Sequence, residues 1–216
     1  MDTQKLADTV RNALESERES GDLLRIVKSA FEHQQAALPD AEIESRIAAT
    51  VKELTGYVAS LPEMVEAAVG AAERAGVVDQ IRPLLTAALQ YVDEEVDFIP
   101  DHLGVVGLLD DAYVVRGLLI EMSHRHRALT GESLVDHNRA AQDQRIRRLI
   151  GEPTATRLDI AIVAFARSHN IRETVETVVR KVGGAGMAMQ LPVAVAFGGG
   201  ESIDELPNLE LGALGA

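Results

Sequence analysis

The chain contains no cysteine and no tryptophan, and aromatic residues fill only 3% of its 216 positions. The missing thiols exclude disulfides, thiolate metal sites and thiol nucleophiles. A hydrophobic content of 46% is ample for a core. With so few rings that core must be built from Leu, Val, Ile and Ala, which suits close helix packing better than a sheet sandwich. Basic charge is scarce too: 21 Lys and Arg stand against 34 Asp and Glu, a net of −13. That balance argues against general nucleic-acid binding, which needs a basic face to neutralise phosphates. Long apolar runs are also missing. Leu103 to Met122 is broken by Asp110, Asp111 and Arg116, and Ala185 to Phe197 by Pro192. Neither reaches the roughly 20 apolar residues of a spanning helix. Met1-Asp2-Thr3-Gln4 opens a polar stretch rather than a basic and then apolar leader, so the expectation is a soluble protein of the bacterial cytoplasm.

The charge that is present is unevenly spread. Residues 1–121 carry a net of −13, residues 122–182 a net of +4, and residues 183–216 only four acids. An Arg-rich segment beside an acidic one implies first that the two pack on each other.

Helical periodicity dominates the pattern. Leu6, Val10 and Leu14 recur at four-residue spacing, and Leu23, Val27, Ala30 and Phe31 resume a stripe after Gly21. Pro39-Asp40 reads as a helix start, followed by Ile43, Ile47, Val51, Leu54 and Val58. A short Ala-rich helix, Met64 to Ala75, closes at Gly76, and Val78, Ile81, Leu85, Ala88 and Val92 carry the next stripe. A helix through Leu103, Val106, Leu109, Val114, Leu118 and Met122 is expected after Pro100, then a polar one from Leu134 to Ile150, and two more around Leu158 and Val175. Beyond Val182 the glycine clusters Gly183 to Gly186 and Gly198 to Gly200 read as linker. The organisation expected is residues 1–76 as N-terminal helices, 77–130 as a helical hairpin, 131–182 as further helices on the same core, and 183–216 as a Gly-rich tail.

The most informative stretch is Tyr91 to Asp111, where Asp97, Asp101, Asp110 and Asp111 stand among apolar residues. Carboxylates so placed are costly to bury unless something pairs with them. Pro100 suits a first helical turn, and Asp101 beside it would meet the positive helix end. Gly104 and Gly107 would leave a groove for the preceding helix. Asp110 and Asp111 have no Lys or Arg three or four residues away, so they must find a partner across the hairpin or from another helix, with Arg82, Arg116 or a backbone N–H as candidates. Structurally, the carboxylates would cap helix ends and tie the hairpin together. Functionally, Asp97, Asp101 and Asp110 or Asp111 would hold a divalent cation, since hard cations take clustered carboxylate oxygens.

Tyr91, Asp97, Ile99, Pro100, Asp101, Gly107, Asp110 and Asp111 also follow, in order and spacing, the pattern of the YkvA-like family, domain of unknown function number 1232, which this region resembles over roughly residues 80–122. Glu95 stands where that family has its first proline. The resemblance implies a two-helix hairpin and no settled activity, so no catalytic role is carried over.

Other signals are weaker. Glu121 and His124 have the Glu-x-x-His spacing of carboxylate-bridged metal bundles, but no second copy exists. No phosphate loop, nucleophile elbow or dinucleotide fingerprint is present. The tail, Leu209-Glu210-Leu211-Gly212-Ala213-Leu214-Gly215, looks like the short C-terminal peptides that target cargo to encapsulin shells; that resemblance makes Leu209, Leu211, Gly212 and Leu214 candidate partner-binding residues. The alternative is an extended peptide whose leucines dock on its own body or a sister subunit.

The expected fold is all-α, a bundle of about seven or eight helices around the hairpin, with an irregular tail. The leading functional expectation is a non-enzymatic interaction or scaffolding protein that self-associates or binds a protein partner through apolar helix faces. A divalent-metal module or metal-dependent enzyme, and an encapsulin cargo, are the alternatives.

Overall fold

The computed structural model describes residues 3–35, 38–92, 98–99, 103–131, 133–134, 138–182 and 206–211. Nine α-helices stand among these residues and no strand: α1 (Thr3–Ser20), α2 (Asp22–Gln34), α3 (Asp40–Ala59), α4 (Leu61–Arg74), α5 (Val78–Val92), α6 (Leu109–Thr130), α7 (Asn138–Ile150), α8 (Thr154–Ser168) and α9 (Ile171–Val182). The all-α expectation holds. The count exceeds it because each break, at Gly21, Ser60, Gly76, Gly131 and Asn170, ends one helix outright.

Most helices bury a single stripe. Leu6, Val10 and Ala13 of α1, and Leu23, Val27 and Phe31 of α2, face the interior at the spacing their periodicity predicts. Ile47, Leu54 and Val58 do the same on α3, but so do the polar residues Thr50, Glu53 and Tyr57, which period alone does not single out. Helix α6 is the exception to amphipathicity: buried residues surround it from Leu109 to His126. A helix buried all round belongs at the centre, and α6 packs against α3, α5, α7, α8 and α9.

Two details depart from the expected hairpin. Its second helix begins at Leu109, since residues 103–108 form turns. Gly104 sits in that turn with φ of +62°, a conformation other residues adopt only under strain, and a Cβ there would face Ala13 and Ser16 of α1 at 3.6–3.9 Å. The neighbour at this glycine is therefore α1, rather than the preceding helix α5.

The close approach in the bundle centre lies about two turns into α6. A Cβ added to Gly117 would stand 2.3 Å from Cδ1 and 3.0 Å from Cγ1 of Ile162 on α8. A mid-helix glycine costs helix propensity of roughly 1 kcal/mol relative to alanine, and here it gives room for the neighbouring helix. Gly117→Leu is expected to lower unfolding free energy by about 1–3 kcal/mol through overpacking, measured by urea titration. An unchanged midpoint would show that α8 yields freely.

Candidate functional site

The acidic hairpin is built from the start of α6. Asp110 and Asp111 occupy its first turn, where unsatisfied N–H groups and the helix dipole favour negative charge. Both are fully buried. Asp110 Oδ2 accepts the backbone N–H of Phe98 at 3.0 Å and of Ile99 at 3.2 Å. One carboxylate oxygen thus ties the chain entering the turn to the helix leaving it. Ile99 is anchored in the core by the same arrangement. Of the partners considered for Asp110, the backbone N–H is realised, twice. Asp111 engages in polar interactions of its own within the interior.

Asp97 and Asp101, the other two residues of the candidate cation site, lie outside the described residues. Among the described residues no group of three or more His, Cys, Asp or Glu is placed to hold a metal. Glu121, of the Glu-x-x-His pair, is bound instead by Arg125 at 2.8 Å on the helix surface.

The second polar centre was not predicted. Arg116, one and a half turns along α6 from Asp111, is only 1% exposed. Its guanidinium donates to Asp143 Oδ1 at 3.1 Å, Gln142 Oε1 at 2.9 Å and Ser60 Oγ at 3.3 Å, and it meets Met64 Sδ at 3.0 Å. The Tyr57 ring lies against the cation, with its centroid 4.0 Å from Cζ, and the Tyr57 hydroxyl donates to the same Asp143 oxygen at 2.9 Å. Burial, followed by the Asp143 charge, pushes the Tyr57 phenol well above its ordinary range, so it remains a neutral donor. One guanidinium thereby joins α3, α4, α6 and α7. A turn away, buried Glu53 of α3 takes a forked pair of bonds from Arg145 of α7 at 2.9 Å each. Glu53 and Arg145 come from the acidic and Arg-rich segments respectively. The signal available in the sequence was Arg116 itself, a cation inside an apolar run with no acid at helical spacing.

Tyr113 extends this polar seam towards α8. Its hydroxyl donates to Asp159 Oδ1 at 2.8 Å, and Arg147 of α7 binds the other oxygen of Asp159 at 2.9 Å. Burial first, and then the bond to Asp159, raise the Tyr113 phenol above its ordinary value. Each side chain in the seam is engaged with another part of the chain, while the second oxygen of Asp143, Oδ2, is buried with no hydrogen-bond partner among the described residues. No nucleophile paired with a base stands in it.

Of the candidate partner-binding residues, Leu209 and Leu211 are buried against the chain's own body, whereas Gly212 and Leu214 lie outside the described residues. No described helix is long and apolar enough to cross a membrane.

Residues 82–116 match a family described as "Protein of unknown function (DUF1232)", and this match ends on Arg116. It is consistent with the resemblance read from the aspartates, and it brings no activity. No curated protein and no solved structure matches the chain.

Two outcomes are expected here. Asp110→Ala leaves two backbone N–H groups without their acceptor and should cost about 2–5 kcal/mol, equally with chelator and with added magnesium or calcium. A melting gain on ion addition that wild type shows and Asp110→Ala loses would place a cation at this residue. Arg116→Met strands the Asp143 carboxylate and should cost about 3–5 kcal/mol, while adding Asp143→Leu should recover much of that loss. Strict additivity of the two substitutions in denaturant titrations would mean that the pair is not coupled.

Proposed function

We propose that this chain is a non-enzymatic helical interaction protein that self-associates through the outer face of α8. The observation that carries the reading is the run Ile160 to Ala166, seven consecutive apolar residues on a surface helix. No helix can turn seven successive residues towards one core, and Ile160 is 62% and Val163 49% exposed. Exposed apolar side chains grouped on one face and rimmed by charge mark interaction surfaces more often than scattered ones do.

Beside this stripe a groove of about 790 Å³ runs between α6, α8 and α9. Its rim carries both signs. Glu121–Arg125 and Arg172–Glu176 are paired within the chain at 2.8 and 2.9 Å. Arg167 and Glu173, one of each sign, also line the groove and have no ion-pair partner among the described residues. A two-fold interface sets residue i against j and j against i, so a rim that carries both an Arg167 and a Glu173 beside an apolar stripe has the charge pattern such an interface requires. That self-complementarity favours a second copy over an unrelated partner.

The commitment of Asp110 Oδ2 to backbone groups supports a structural rather than catalytic role for the hairpin, and the divalent-cation alternative stands or falls on the ion experiment above. As cargo for a shell, the chain would first have to withdraw Leu209 and Leu211 from its own interior.

Sedimentation velocity tests the proposal. Wild type is expected as a dimer, and the double variant Ile160→Glu, Val163→Glu as a monomer with an unchanged melting temperature, because exposed substitutions shift stability by only about 0.5 kcal/mol. A wild-type monomer, or a variant that remains dimeric, would overturn it.

A further inference from the structure

Residues 206–211, Leu-Pro-Asn-Leu-Glu-Leu, are separated from the end of α9 by 23 residues in the sequence and seat in a cleft between the end of α2 and the α7–α8 turn. The seating is specific along the backbone. The Gln34 side-chain amide donates from Nε2 to the Asn208 carbonyl at 2.7 Å and accepts the Asn208 N–H on Oε1 at 2.9 Å. It reads both polar groups of one residue, as a neighbouring strand would. The next N–H, of Leu209, donates to the Leu149 carbonyl at 2.9 Å.

The side chains are read as well. Leu206, Leu209 and Leu211 are buried at 1%, 5% and 0% exposure and join the common core. Asn208 folds back so that Oδ1 accepts the Glu210 N–H at 2.8 Å, a local turn that suits Asn or Asp. That side chain lies directly on Gly151, where a Cβ would come within 1.6 Å of Asn208 Oδ1 and where φ is +82°. Any other residue at 151 would block the seat and strain the turn. The cleft therefore selects both the backbone direction and the identity of at least four positions of the peptide.

We propose that this cleft is a sequence-selective peptide site for Leu-Pro-Asn-Leu-x-Leu segments that turn at the Asn, filled in cis by residues 206–211 and able to take the same segment from a second copy of the chain. The chain between α9 and the seat, residues 183–205, has a contour of at most about 80 Å. A body of this size is about 40 Å across, so that length spans to a neighbour's cleft. Tethering sets the cis tail at an effective concentration in the millimolar range, which makes exchange between copies dependent on protein concentration. This inference concerns a different surface from α8 and does not rest on it.

The test uses the full chain carrying Leu209→Glu and Leu211→Glu, which removes the resident tail's anchors, and a fluorescein-labelled Leu-Pro-Asn-Leu-Glu-Leu peptide followed by anisotropy. Saturable binding to this variant is expected, with at least about tenfold weaker binding to wild type, whose cleft is filled. Adding Gln34→Ala should weaken binding to the variant by about tenfold again, for two lost hydrogen bonds. Absence of saturable binding to a variant with wild-type circular dichroism would overturn the proposal, as would equal binding of a scrambled peptide. If the variant does not fold, wild type with excess unlabelled peptide is the measurement: amide exchange at Asn208 and Leu209 should accelerate, and unchanged rates would overturn the exchange. Ile160→Glu should leave every one of these results unaltered, which separates this site from the α8 interface.

Discussion

A buried guanidinium is the constraint around which the bundle is organised. Removing an arginine from water is expensive, and the interior must supply hydrogen-bond acceptors and an opposing charge to offset that cost. Arg116 finds them in Asp143, Gln142, Ser60 and the face of Tyr57, contributed by helices far apart in the chain. Apolar contacts tolerate sliding; a forked set of directional bonds to one planar cation does not. The register of α3 and α7 against α6 follows from this geometry, and the Glu53–Arg145 pair repeats the same tie one turn away.

The hairpin solves a different problem at shorter range. Two backbone N–H groups before Pro100 have no helix or strand to satisfy them, and Asp110 Oδ2 takes both. A carboxylate in the first turn of a central helix is stabilised by the helix dipole while acting as acceptor for the incoming loop. The burial of Asp110 in this turn is thus tied to the backbone donors that it satisfies.

What the sequence discloses follows the range of the interaction. The stripes of α1, α2 and α3 are visible because period and burial are properties of one helix. The need of Asp110 for a partner could be inferred from its missing local cation, and a backbone N–H stood among the candidates. The partners of Arg116 could not be read, since Asp143 lies 27 residues away and Ser60 lies 56 away, separations for which spacing carries no information. Gly104 was misread for a related reason: its neighbour is α1, about ninety residues earlier in the chain, rather than the adjacent helix. The tail leucines are recognisable in the sequence as an apolar peptide, but only the contacts to Gln34, Leu149 and Gly151 reveal where three of them reside.

The order of the chain turns the Arg116 network into a problem of timing. Synthesis delivers Tyr57, Ser60 and Met64 first, then Arg116, and only later the Gln142 and Asp143 that complete its coordination. A nascent chain ending after α6 holds a central helix whose cation has aromatic and hydroxyl neighbours but no counter-charge. Closing the bundle at that stage would bury the cation without its counter-charge, a cost that is removed only when α7 is made. The same directional bonds that fix the finished register thus make completion of the core wait on the last polar partner to be translated, the stage at which incomplete chains expose most apolar surface.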